Sequence, residues 1–188
     1  MQEKKDFIRN YWQQIRWLGA EADCAFYEGD PDAARNAQKW FLDYSDNDGL
    51  FQNLTNGYDE REISEGFYEI HYSFGVVAMS YYKTRSNLSA EDQKKVETWL
   101  RRVVEINFYD ANSKIGGFRV RGKNNHYYAL STGIMAAGVA LGDKRFIRDA
   151  RGIIDEAISE MSSDGSWKTE LKRRQYSGHY QMMLLSHV

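Results

Sequence analysis

Lys123-Asn124-Asn125-His126-Tyr127-Tyr128 gathers two amides, an imidazole and two phenols where an apolar segment of helical period begins. A helix start carries backbone N–H groups without intrahelical acceptors and the positive end of the peptide dipoles, so such side chains suit an anion. Asn is also a preferred helix cap, and the same six residues read as a plain helix start. A second set follows: Asp164-Gly165, then Glu170-Leu171-Lys172-Arg173-Arg174-Gln175, with Tyr180 beyond. Arginine offers a permanent charge in a fork that matches a carboxylate, and a phenol beside cations is biased toward phenolate. The plain alternatives are a solvated charge run for 172–174 and a core aromatic for Tyr180, which lies close to Met182, Met183, Leu184 and Leu185.

These groups are carried by helices. Over 7–27, Ile8, Tyr11, Trp12, Ile15, Leu18, Ala22 and Phe26 recur at three- and four-residue steps. Gly29 stops that helix, and Asp30-Pro31 restarts a second with Ala33, Ala37, Trp40, Phe41 and Tyr44 on one face. A loop from Asp46 to Asp59 follows; its acids lack the rest of a calcium-loop spacing, and Phe51, Asn53 and Tyr58 are candidates to line a cleft. A third helix spans 63–82, with Phe67, Ile70, Phe74, Val77, Ala78 and Tyr81 inward and His71 beside them as a structural or cleft-wall residue. Ser89 caps a fourth, whose stripe is Val96, Trp99, Leu100, Val103 and Val104. The loop 107–123 interleaves Gly116, Gly117 and Gly122 with Arg119, Arg121 and Lys123, a local basic patch. The fifth helix carries Leu130, Ile134, Ala137 and Leu141, with Ala136, Ala137 and Gly138 small enough for close approach. Gly142-Asp143 leads into a sixth with Phe146, Ala150, Ile153, Ile154, Ala157, Ile158 and Met161 inward. Ser163-Asp164-Gly165 is a turn, and a last helix is expected over 175–185.

No strand alternation is visible, so the expected class is all-α: antiparallel helical hairpins forming a toroid or solenoid layer, as a single domain over 1–188. Net charge is −2, which excludes nucleic-acid binding through bulk charge and makes any basic site local. No segment has the ~20 apolar residues of a membrane span, and the first residues lack the apolar run of a signal peptide. The single Cys24 can form neither an internal disulfide nor a cysteine-based metal site. Aromatics reach 14%, with thirteen Tyr and five Trp, a supply of flat faces with polar edges that suits stacking on sugar rings.

In order, with a helical hairpin between them, the two chemical blocks resemble the alginate lyase family typified by periplasmic poly(mannuronate) lyases. That family has an Asn-Asn-His block opening a helix, then Asp-Gly…Glu-Leu-Lys-Arg-Arg-Gln, then a Tyr seven residues past the first Arg; Arg173 and Tyr180 keep that spacing. The resemblance is strongest over 123–180. It implies an incomplete (α/α) toroid, shortened relative to the family, with a substrate groove across its end. It implies β-elimination on a uronate polymer, mannuronate-rich alginate first and glucuronan or hyaluronan-like polymers next, with no metal or organic cofactor. A periplasmic or secreted location is implied by the family alone.

Carried over by position, Asn125 and His126 would neutralise the C5 carboxylate, His126 serving as base for one epimer. Arg173 would pair with the carboxylate or orient the phenol, and Tyr180 would take the C5 proton and return one to the leaving oxygen. Lys123, Asn124, Tyr128 and Arg174 are expected to contact the substrate beside them. The family's N-terminal lid has no match here, and Arg119, Arg121 and Trp167 are expected to supply such contacts instead. The expected partner is thus an anionic polysaccharide, with no nucleic acid and no membrane; the apolar 181–188 segment is a candidate self-association surface. The competing class is a non-catalytic helical module that binds acidic glycans or a protein.

Overall fold

A computed structural model describes residues 2–50, 60–109, 125–172, 174–176, 178–179 and 182. The elements are α1 (Gln2–Asp23), a wide π-type turn Cys24–Glu28, α2 (Pro31–Asp46), α3 (Glu60–Thr84), a 3-10 turn Arg85–Asn87, α4 (Ala90–Val104), a second wide turn Glu105–Tyr109, α5 (Asn125–Leu141), α6 (Lys144–Glu160) and the short α7 (Lys168–Leu171). A 3-10 turn Arg174–Tyr176 follows. Among the described residues the only extended pairing is the single antiparallel bridge Met161–Trp167. The all-α expectation holds.

Successive helices reverse direction, so the odd-numbered ones run parallel. Tyr11 on α1 meets Ser73 on α3 at 2.5 Å, and Asp23 pairs with Lys83 at their far ends. In the same sense Asn125 on α5 reaches Tyr72, while Arg85 just past α3 donates to the Ala140 carbonyl oxygen at 2.8 Å. Helices α1, α3 and α5 thus form one contiguous layer, against which α2, α4 and α6 pack. This is the two-layer arrangement of an (α/α) toroid.

The connections divide by end. At one end the helices are joined by short capped turns. Asp30 accepts from the backbone N–H of Asp32 at 2.8 Å, Ser89 from Asp92 at 3.1 Å and Asp143 from Arg145 at 2.9 Å. Each expected cap is in place, and each satisfies helix-start donors that would otherwise lack partners. Gly142 takes φ +63°, a conformation that releases the chain from α5 without a Cβ penalty. At the other end lie the C-terminus of α2, the wide turn Glu105–Tyr109, the start of α5 and the chain leaving α6.

The core runs between the layers. Ile15, Leu18, Phe41, Phe74, Val77, Tyr81, Val96, Leu100, Ile134 and Phe146 are buried in one cluster. Each large side chain so enclosed contributes about 2–3 kcal/mol. α5 contains no Asp, Glu, Lys or Arg, and its small residues allow tight packing. A Cβ built on Gly138 would lie 2.9 Å from the backbone nitrogen of Ile147. The close approach expected around 136–138 is therefore made against α6.

Two parts of the expected inward faces are corrected. Phe26 is 52% exposed, because the wide turn at 24–28 rotates it off the face that Leu18 and Ala22 share. Ile158 and Met161 are exposed as well, since burial on α6 follows Phe146, Ala150, Ile153 and Ala157 and α6 ends at Glu160. The expectations for Phe51, Asn53, Tyr58 and most of 175–185 fall outside the described residues, as does the side chain of Phe67.

Candidate active site

Asn125 is the first residue of α5 and is fully enclosed. Its side-chain amide donates to the phenol oxygen of Tyr72 on α3 at 3.3 Å. One residue earlier on α3, the buried His71 places Nε2 3.3 Å from the carbonyl oxygen of Asn107. A carbonyl only accepts, so Nε2 carries the hydrogen. Asn107 sits in the wide turn after α4 and donates its own side-chain amide to the Val103 carbonyl at 2.8 Å. Its Oδ1 is buried and has no hydrogen-bond partner among the described residues. The Phe108 ring lies 5.0 Å from the His71 ring. A polar seam thus ties α3, the end of α4 and the start of α5 together, and His71 takes the structural role within it.

The rest of that first turn is held from the other side. The Tyr127 hydroxyl donates to Glu156 at 2.8 Å and the Tyr128 hydroxyl to Glu160 at 2.6 Å. Burial pushes the Tyr128 phenol well above the usual tyrosine range, and the hydrogen bond to the Glu160 carboxylate pushes it further. It remains a protonated donor with its hydrogen committed to Glu160. Tyr128 therefore presents no group to a substrate, which corrects the expected contact.

Beyond α6 the chain makes a tight reversal. Asp164 accepts from Ser166 N–H at 3.0 Å and from Ser166 Oγ at 2.7 Å, and Gly165 takes φ +80°. The Ser166 hydroxyl and N–H hold the Asp164 carboxyl below its ordinary value. The reversal returns Trp167 to the core, where it is 1% exposed and donates Nε1–H to the Ala157 carbonyl oxygen at 2.7 Å. Trp167 was expected to replace lid contacts to the substrate; it is enclosed and its donor is engaged, so that expectation is corrected too. Immediately after it, α7 leads to Lys172, which is exposed and directly precedes Arg173.

The structure thus brings Asn125 and the backbone of His126 to the start of α5, on the end of the fold where α6 delivers 161–172. Lys123, Asn124, Arg119, Arg121, Arg173 and Tyr180 lie outside the described residues, as do the side chains of His126 and Arg174. Tyr72, Asn107, Glu156 and Glu160 were missed by the sequence reading. Spacing along one helix does not reveal them, because each acts across an interface with another helix. Among the described residues no group of three His, Cys, Asp or Glu is placed to hold a metal ion, and no helix is long and apolar enough to cross a membrane.

The comparisons with known proteins agree with this architecture. Two variants of alginate lyase A1-III, each solved in complex with a tetrasaccharide, superpose with TM-scores of 0.76 and 0.72 at 20% and 21% identity. The matches cover 97% and 94% of this chain and 51% and 49% of theirs. A polysaccharide lyase of Stenotrophomonas maltophilia (strain K279a) is 26% identical over 180 residues, which is 95% of this chain and 51% of that protein. The chain spans about half the length of these relatives. The family model for alginate lyase matches residues 13–188, both chemical blocks included, and the chain belongs to the alginate lyase family.

Proposed function

We propose that the chain is a lyase that cleaves a uronate polymer by β-elimination, with mannuronate-rich alginate the favoured substrate. The observation that carries this reading is the Asn125–His126 pair at the start of α5, within a chain whose family and order of blocks are those of alginate lyases. The tetrasaccharide in the A1-III structures supports an oligosaccharide-sized groove on this fold.

A proton α to a carboxylate is weakly acidic because its removal adds charge to an existing anion. Donors aimed at the carboxylate stabilise that developing dianion, each by roughly 3–4 kcal/mol. Asn125 and His126 take this role, helped by the free N–H groups of the helix start. In this reading the bound sugar uncovers the Asn125 amide, which is enclosed in the free chain. Arg173 pairs with the carboxylate or with the phenol of Tyr180. Tyr180 removes the C5 proton, the C4–oxygen bond breaks as the C4–C5 double bond forms, and the departing oxygen takes a proton from the same phenol. Arg119, Arg121, Lys123, Asn124 and Arg174 supply further contacts to the anionic chain. From the family alone we infer a periplasmic or secreted location.

Incubation with alginate, glucuronan and hyaluronan, followed by ultraviolet absorbance of the unsaturated product, tests the reading. Product is expected on alginate, and Tyr180→Phe is expected to abolish it while oligosaccharide binding persists. Absence of product on all three polymers, with binding retained, would leave the non-catalytic glycan-binding module in its place.

A further inference from the structure

We propose that Glu160 is a positioning residue for this site: through the Tyr128 hydroxyl it fixes the first turn of α5, and with it Asn125 and His126. The inference rests on the lyase reading above.

The first turn of a helix lacks the backbone hydrogen bonds that hold its middle, and it is the part most prone to fray. Here that turn bears the two groups assigned to the carboxylate. Tyr128 lies one turn beyond Asn125, is fully enclosed, and donates to Glu160 across 2.6 Å. A hydrogen bond to an ionised acceptor at this distance is of the strong class. Tyr127 makes the neighbouring bond to Glu156, and the two rings meet edge to face with centroids 5.3 Å apart. Glu156 and Glu160 stand four residues apart on α6, where like charges repel. A phenol donor on each carboxylate lessens that repulsion without removing the charge, and the geometric result is a first turn of α5 pinned to the last turns of α6. Catalytic groups must be held to within about 0.5 Å of their working geometry, which a frayed turn does not provide.

The test uses the full chain with Glu160→Ala, Glu160→Gln, Tyr128→Phe and the double variant Glu160→Ala/Tyr128→Phe. Helix content is checked by circular dichroism. The readouts are kcat and KM on the polymer the wild type degrades and amide hydrogen exchange over 129–132, whose N–H groups donate to the carbonyls of the first turn. Loss of register should lower kcat about tenfold in Glu160→Ala and in Tyr128→Phe, with KM changed by less than about twofold. Glu160→Gln should retain most of the activity, because its side-chain carbonyl still accepts. The double variant should be no worse than the worse single one, since both remove the same bond. Exchange over 129–132 should accelerate in all but Glu160→Gln. Losses that multiply in the double variant, a lowered melting point with kcat unchanged, or unaltered exchange would each overturn the proposal. If the wild type degrades no uronate polymer the lyase reading fails, and the exchange arm alone then decides whether Glu160 pins the turn. If Glu160→Ala does not fold, Glu160→Gln against Tyr128→Phe makes the same comparison.

Discussion

The side-chain amide of Asn125 donates to the phenol oxygen of Tyr72 across 3.3 Å, so the first residue of α5 takes its orientation from α3. Tyr72→Phe keeps the ring and removes this acceptor. The bond is long, so the expected loss of stability is small, about 1 kcal/mol. The effect on turnover should be larger, about a tenfold fall in kcat/KM on the uronate polymer, because Asn125 loses a group that aims it. Denaturant unfolding and steady-state kinetics on the same preparation separate the two. A variant with full activity would show that the orientation of Asn125 does not depend on Tyr72.

Two glycines on the facing helices α5 and α6 are expected to respond in opposite directions to alanine. At Gly138 a Cβ would sit 2.7 Å from Ile147 Cγ1 and 2.9 Å from the Ile147 backbone nitrogen. Backbone cannot yield as a side-chain tip does, so overpacking of roughly 1–3 kcal/mol outweighs the gain of about 1 kcal/mol in helix propensity. At Gly152, within α6, nothing lies within 4 Å of the added Cβ. Gly152→Ala should therefore stabilise by roughly 0.5–1 kcal/mol. Thermal melts of the two variants give the sign directly.

The contrast between those glycines also shows how far the sequence could be read. Periodicity located the six long helices, and local chemistry located their caps, because Asp30, Ser89 and Asp143 each act on residues two or three positions ahead. The small residues at 136–138 announced a close approach but not its partner. Trp167 went astray for a related reason. Beside a polar turn it resembles an exposed ring, yet the reversal closed by Asp164 and Gly165 swings it onto Ala157. Tyr128 was correctly placed at the start of a helix but given the wrong partner, since Glu160 reaches it only after the hairpin has folded. The place of Asn125 at a helix start was legible from sequence, because the apolar period that follows it is local. Tyr72 was not, because its role follows from what lies across the interface.

Asp143 makes the fold sensitive to acid. Burial pushes its carboxyl up, but the hydrogen bond from Arg101, the N–H groups of Arg145 and Phe146, and the charge of Arg101 together hold it below the ordinary range. A carboxyl depressed in the folded state contributes stability above its unfolded pKa of about 3.9 and loses that contribution as pH falls through the folded value. Wild-type stability should therefore decline below about pH 4, and Asp143→Asn should flatten that limb because its amide does not titrate. Asp143→Ala should in addition cost about 1 kcal/mol at neutral pH through loss of the α6 cap. Urea unfolding between pH 3 and 7 measures both effects, with the range chosen to bracket the carboxylate values. An acid limb unchanged in Asp143→Asn would assign it to other carboxylates.

The alkaline side is governed by enclosed phenols. Tyr81 and Tyr128 are both fully buried, each donating to a glutamate, Tyr81 to Glu97 at 2.9 Å and Tyr128 to Glu160 at 2.6 Å. Burial, then the hydrogen bond to a carboxylate, raises both phenols above their ordinary value. Because the folded state keeps these protons more tightly than the unfolded chain, their contribution is complete below the unfolded pKa of about 10. It is lost as pH rises from there toward the folded values, since the unfolded chain ionises first. Stability should thus fall above about pH 10. Tyr128→Phe should make that fall shallower, because one of the phenols kept protonated by the fold no longer titrates. The same variant should be less stable at pH 7 by roughly 1–3 kcal/mol, since the Glu160 carboxylate loses a donor. Unfolding by urea at pH 7 and at intervals up to about pH 11 tests both statements, spanning the tyrosine range. A steepness unchanged by Tyr128→Phe would mean that the Tyr128 proton is not held by the fold, and the bond to Glu160 would lose its standing as the latch on α5.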